Sequence, residues 1–396
     1  MRSLLLVLLA AFCLGSAYSA FAAPESGKKV VGYYIGWARD ARSFPPEKID
    51  ANKLTHINYA FANIVDGKVA MGDPVADVAN FAGLRALKKT NPKLKLLVSV
   101  GGWNWSKHFS DVALTPASRK LFADSAVAYL QTHQIDGVDL DWEFPVGGGA
   151  EGNSARPEDK QNFTLLLQAV RRALDAAGKK TRTPSRTHYL LTIASSPGPD
   201  FVKNTELLDV ANTVDWINIM GYDFHGTFSK RSGPNAPLFA DPADDIQGSA
   251  SVLNVAGGVA GHIKAGVPLN KIVLGMPFYG YVWKGCTNAT QGEYQTCTGP
   301  AKGTWEDGSL EYSDIAANYL NKPGFTRHWN AATKTPSLWN PDGGIYIAYD
   351  DAESIGLKLD FVVQQKLGGV MIWEITTDRD RVLLTPIAKR MLGIHR

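Results

Sequence analysis

Eight short apolar segments, spread over nearly the whole chain, restrict its fold more than any other feature. They are Lys29–Ile35, Leu54–Phe61, Leu94–Val100, the stretch Asp136–Pro145, Tyr189–Ala194, Val214–Met220, Ile272–Met276 and Gly369–Trp373. Each has the Val, Ile, Leu and aromatic content of a buried strand. Seven are separated by connections long enough to carry a helix, and helical periodicity appears at Val78–Lys89, Ser118–His133, Lys160–Ala177 (stopping at Gly178), Ile246–Ala265 and around Ser354–Lys366. That alternation is the pattern of a parallel (β/α)8, or TIM, barrel, and 396 residues suit one large barrel. One connection is far too long for a crossover. Between Met276 and Gly369, the Trp-, Tyr-, Thr- and Gly-rich part from Gly280 to Ile345 has strand-like pieces and a short helix near Ser313–Leu320. It reads as a small α+β insertion after the seventh strand.

The chain is 45% hydrophobic and 20% charged, with net charge +3 and both signs interspersed, which points to neither nucleic acid nor a membrane as partner. Residues 1–23 read as a secretory signal: Arg2, an apolar core from Leu4 to Leu14, and Ala20-Phe21-Ala22 as a cleavage pattern. Cys13 lies inside it, and the Ala-Ala-Phe before Cys13 is a poor lipoprotein box, so no lipid anchor is expected. The mature protein, 24–396, keeps Cys286 and Cys297. Their spacing fits a local disulfide in an exported protein, and a pair of free thiols is the alternative.

The fourth segment carries chemistry. Asp136-Gly-Val-Asp-Leu-Asp-Trp-Glu-Phe-Pro145 alternates acids with apolar residues. On a strand, Asp139, Asp141 and Glu143 share one face and Val138, Leu140 and Trp142 the other. Carboxylates about 6.6 Å apart at each two-residue step cannot all ionise, so at least one pKa rises and a proton is shared. A carboxylic acid is thereby kept able to donate near neutral pH. A calcium loop is the competing reading, but the EF-hand spacing is absent and Val, Leu and Trp stand where Gly, Asn or Ser would. Asp136, at the strand entry, reads as a structural hydrogen-bonding residue.

The run Asp136, Asp139, Asp141, Glu143 resembles the signature of family 18 glycoside hydrolases, the chitinases. Four more stretches resemble that family in order: Lys95–Trp103, Met220–Asp223, Gly275–Gly280 and Gly369–Trp373. The resemblance implies a secreted hydrolase of β-1,4-linked N-acetylglucosamine polymers that works with retention; the eight histidines show no metal spacing, and neither metal nor cofactor is expected. The resemblance also implies that Glu143 is the general acid and then base, and that the substrate's own acetamido oxygen is the nucleophile. Asp141 would hold the acetamido N–H, Asp139 would share a proton with Asp141, Tyr222 would hydrogen-bond the acetamido oxygen and Asp223 would contact the reacting sugar. Trp373 would form the floor beneath that sugar. Tyr33, Trp37, Phe61, Trp103, Asn104 and Tyr279 would line the cleft, with Ala194, Met220 and Met371 shaping its wall. His225 reads as a donor behind the site. The family also carries non-proline cis bonds matching Ala60–Phe61, Glu143–Phe144 and Trp373–Glu374.

Two departures stand out. Tyr281 occupies a place where many relatives have Arg, which alters contacts at one sugar subsite, and Gly221 replaces a common Ala or Thr. The rival readings are a chitin-binding lectin on the same barrel and an endo-β-N-acetylglucosaminidase acting on N-glycans. Glu143, Asp141 and Tyr222 speak against the lectin, and the insertion with its cleft aromatics suits a linear polymer. The expected partner is chitin or a chitooligosaccharide, bound by a monomer.

Overall fold

The computed structural model describes residues 27–180, 187–244 and 251–394. The expected signal segment and Cys13 lie outside them. Eight parallel strands close on themselves: β1 Lys29–Ile35, β2 His56–Val65, β3 Lys95–Gly101, β4 Gly137–Asp141, β5 Leu190–Ser195, β6 Trp216–Ile219, β7 Ile272–Pro277 and β8 Gly369–Trp373. Neighbours pair in sequence order, and β1 pairs with both β2 and β8, which seals the barrel. No strand edge of the ring is left open.

Helices cover the outside, and their ends follow local chemistry. Asp73 caps Pro74–Leu87 by accepting from the N–H groups of Val75 and Ala76, with Pro at the first helical position. Thr115 and Ser118 form a reciprocal capping box before Pro116–His133. Asp159–Lys180 buries Phe163, Leu166, Leu167, Val170 and Leu174, one stripe at helical spacing. This helix runs past Gly178. A Cβ there would come within 2.0 Å of Thr187 O, so the glycine permits a close chain crossing and does not terminate the helix. The expected helix Ile246–Ala265 is shorter, Val255–Lys264, because Asn254 caps it through Gly257 N; residues 245–250 lie outside the described ones.

Lys29–Ile35 and Gly369–Trp373 agree at both ends with the sequence reading, most other strands shift by a residue or two, and two limits differ more. β2 runs on to Val65 because it forms a hairpin with Lys68–Met71, turning at Asp66-Gly67. Both turn residues have positive φ, 49° and 74°, as a two-residue turn matched to strand twist needs. The second difference matters more. The acidic strand ends at Asp141, so Glu143 lies beyond it and not on its inner face. The apolar side behaves as expected: Trp142 is buried between Phe109 (5.3 Å) and Phe163 (5.4 Å). Asp136 accepts from Lys88 Nζ at 2.5 Å and Leu96 N at 2.8 Å, which ties the strand entry to its surroundings.

Between β7 and β8 an antiparallel sheet is built from Tyr279–Lys284, Gly299–Pro300, Ser309–Glu311, Thr326–Asn330, Thr335–Asn340 and Ile345–Ala348, with a helix at Tyr312–Asn318. Its inner cluster includes Trp283, Trp339, Tyr346 and the disulfide Cys286–Cys297.

Candidate active site

At the carboxyl ends of the strands, the barrel interior turns polar around one buried carboxylate. Asp139 Oδ2 accepts from Tyr33 Oη at 2.7 Å and Ser99 Oγ at 2.8 Å, while Oδ1 accepts from Thr192 Oγ1 at 2.5 Å and Asn218 Nδ2 at 3.3 Å. The register explains this convergence. Ser99 pairs with Asp139 across β3–β4, Asp139 with Thr192 across β4–β5, and Asn218 follows on β6. Burial raises the Asp139 pKa, and the four donors hold that rise in check.

Asp141 is also buried, and its Oδ1 has no hydrogen-bond partner among the described residues. Burial first, then Glu143, then Asp139, push its pKa well above the usual range. A carboxyl so placed favours its neutral form. Glu143 is half-buried beyond the strand end, and its pKa is raised to about 8, chiefly by burial and then by Asp223. Its backbone is fixed on both sides: Glu143 N donates to Ser106 Oγ at 2.9 Å, and Glu143 O accepts from Asn153 Nδ2 at 3.0 Å. The same serine hydroxyl lies within hydrogen-bond reach of Gly102 O and Asp141 O. Ser106 therefore clamps the turn by which the chain leaves β4.

Beyond β6, Tyr222 is buried, with its hydroxyl donating to Met371 Sδ at 3.7 Å and its ring edge-on to Tyr279. Asp223 has φ +61° and opens to the cleft. Its Oδ1 accepts from Tyr279 Oη and, at 2.9 Å, from Tyr281 Oη. Although surface-exposed, the carboxyl is crowded by the cleft walls, and this crowding raises its pKa against the two hydroxyl donors. Tyr281, read as a departure, thus occupies a defined place beside the site.

Trp373 ends β8 half-buried, 5.5 Å from Tyr33 and stacked on Phe61 at 5.6 Å. Phe61 reaches it because the β2–β3 register slips between Ala60 and Ala62, a bulge that re-aims one side chain. Ala194 and Met371 are buried in the wall, and Met220 is half-buried just after β6. Trp37 and Trp103 stand 46% and 52% exposed on the loops after β1 and β3. Asn104, next to Trp103, lines a side cleft of about 520 Å³ with Asn63, Asp66, Trp105 and His108. His225 is paired at 2.8 Å with buried Asp244. The bonds Ala60–Phe61, Glu143–Phe144 and Trp373–Glu374 are cis, as the resemblance implies.

Sequence reasoning missed Ser99, Thr192 and Asn218 around Asp139, and Ser106 behind Glu143. A polar residue inside each of three largely apolar strands was the available signal, unreadable without the register. Nor did it single out Phe228 or Trp305, which are 73% and 53% exposed.

Among known proteins, the chain is 46% identical to Chitinase A1 of Niallia circulans over 96% of its own length and 60% of that relative's length. It is 33% identical to Chitinase 1 of Aphanocladium album, over 88% of this chain and 81% of the relative. Among solved structures, chitinase ChiA74 from Bacillus thuringiensis matches with TM-score 0.88 and 38% identity, covering 93% of this chain and 71% of that one. Residues 29–378 match the family described as glycosyl hydrolases family 18. The chain belongs to glycosyl hydrolases family 18.

Proposed function

We propose that this glycoside hydrolase is a secreted chitinase that cleaves β-1,4-linked N-acetylglucosamine chains with retention, using the substrate's acetamido group as nucleophile. The carrying observation is the placement of the acids: Glu143 lies half-buried beyond the strand end with its pKa raised to about 8, while Asp141 is fully buried behind it with its pKa raised well above the usual range. Glu143 then holds a proton at neutral pH and delivers it to the glycosidic oxygen. Asp141 is too buried and too readily protonated to attack the anomeric carbon. Asp223, the other acid facing the cleft, spends one oxygen on two tyrosine hydroxyls, which weakens it as a nucleophile. The sugar's own carbonyl oxygen fills the role, closing an oxazolinium ring as the leaving-group bond breaks. Asp141, with Asp139 beneath it, accepts a hydrogen bond from the acetamido N–H and so orients the carbonyl oxygen for attack. Tyr222 steadies the acetamido oxygen and Trp373 the sugar ring.

Export is supported by the leader-like residues 1–23 and by the Cys286–Cys297 disulfide, which fits an oxidising compartment. The Trp, Tyr and Phe side chains along the cleft suit a linear chitooligosaccharide. The test is hydrolysis of an N-acetylglucosamine hexamer followed by NMR. The β-anomer should appear first, E143Q should abolish turnover while retaining oligomer binding, and oligomers lacking the acetyl group at the cleaved sugar should survive. Equal cleavage of the deacetylated oligomer, or α-anomer as first product, would overturn the mechanism.

A further inference from the structure

The rim between β8 and β1 holds a charged cluster with no part in the proton transfer. Arg42, in the segment after β1, points Nη1 at two glutamates, 2.8 Å from Glu374 Oε1 and 3.1 Å from Glu311 Oε1. Both glutamates are buried. Glu374 directly follows Trp373 and also accepts from Thr376 N at 2.8 Å and Thr376 Oγ1 at 2.6 Å. Glu311 closes the insertion strand Ser309–Glu311 and accepts from Trp305 Nε1 at 2.7 Å. The Arg42 guanidinium also lies 5.7 Å from the Trp305 ring centroid. Arg379 braces the arrangement, donating from Nη2 to Arg42 O at 3.0 Å and standing 3.8 Å from Glu311.

One planar guanidinium can satisfy acceptors on separate elements and so fix their relative placement. Without it, the buried Glu374 carboxylate loses its guanidinium partner, and Glu311 keeps only Arg379 at 3.8 Å as a cationic partner. Tyr33 and Phe61 confine the Trp373 ring from the barrel side, and Phe278 N donates to Trp373 O at 2.8 Å. The backbone leaving the ring on the rim side is held through Glu374. We propose that Arg42 is a positioning residue: by tying the exit of β8 to the insertion, it fixes the Trp373 ring in the orientation that supports the reacting sugar. The proposal rests on the reading of Trp373 as the floor of the site.

The test is a double-mutant cycle of Arg42 and Trp373, with kcat and KM measured on the N-acetylglucosamine hexamer well below each variant's melting temperature. R42Q should lower kcat about tenfold or more with a smaller change in KM, since loss of orientation acts on the chemical step. R42K should recover part of the loss, restoring charge without the fork, and it enters the same cycle should R42Q not fold. R42Q combined with W373A should be no slower than W373A alone. Wild-type kcat in R42Q, or losses that simply multiply in the double variant, would reduce Arg42 to a structural ion pair. Wild-type kcat in W373A would instead remove the floor reading, and this proposal with it.

Discussion

In the mechanism proposed above Glu143 is the acid, and two separate effects raise its pKa: burial of the carboxyl and the negative charge of Asp223. They can be separated by experiment. If Glu143 is the proton donor, kcat/KM in the free enzyme should fall as pH rises through about 8, where Glu143 ionises. Asp223→Asn removes the like charge, so the ionised form of Glu143 becomes easier to reach and the alkaline limb should move to lower pH. A pH–rate profile of D223N on a soluble oligomer checks this, and an unmoved limb would show that burial alone sets the pKa. The acids themselves were legible in the sequence because carboxylates alternating with Val, Leu and Trp have no place in ordinary packing. Their partners were not. Ser99, Thr192 and Asn218 become meaningful only once register sets them against Asp139, and register is a property of paired strands, not of any one segment.

At the scale of elements, apolar periodicity located all eight barrel strands and both ends of the first and last, Lys29–Ile35 and Gly369–Trp373, but not where most of the others stop. The acidic segment keeps its alternation through Glu143, so the sequence suggests a continuing strand. Hydrogen bonding ends it at Asp141, where Ser106 and Gly102 take over the backbone groups of the turn. β2 erred the other way, since its extension depends on a partner strand across Asp66-Gly67. The insertion relies on a covalent tie as well. Cys286 and Cys297, 11 residues apart, are bonded and packed near Trp283, Trp339 and Tyr346. Closing a loop of that length restricts the unfolded chain, worth about 3 kcal/mol by the chain-entropy argument. The double variant C286S/C297S should therefore unfold at lower urea than the oxidised protein, read by tryptophan fluorescence. An unchanged midpoint would show that sheet pairing alone holds the insertion.

Over the whole molecule, four of the five most exposed aromatic rings belong together; the fifth, Phe239, packs against Phe361 of an outer helix. Trp37, Trp103, Phe228 and Trp305 all follow the carboxyl ends of barrel strands, on the loops after β1, β3, β6 and β7, the end where such barrels carry their chemistry. Large rings left in water on that one end, together with Trp373 at the end of β8, suit the apolar faces of successive sugars. Phe228 is the most exposed of these aromatics, and it meets Tyr281 edge-on with centroids 6.3 Å apart, while Tyr281 in turn donates to Asp223. A ring so placed lies one contact beyond the group expected to touch the reacting sugar, so it should matter more as the oligomer lengthens. F228A should lower kcat/KM on the N-acetylglucosamine hexamer by about three- to tenfold, the worth of one aromatic contact. The loss on the trimer should be smaller, narrowing the preference for longer chains. Equal losses on both lengths would place Phe228 at the reacting sugar itself, and no loss on either would leave the ring outside the path of the chain.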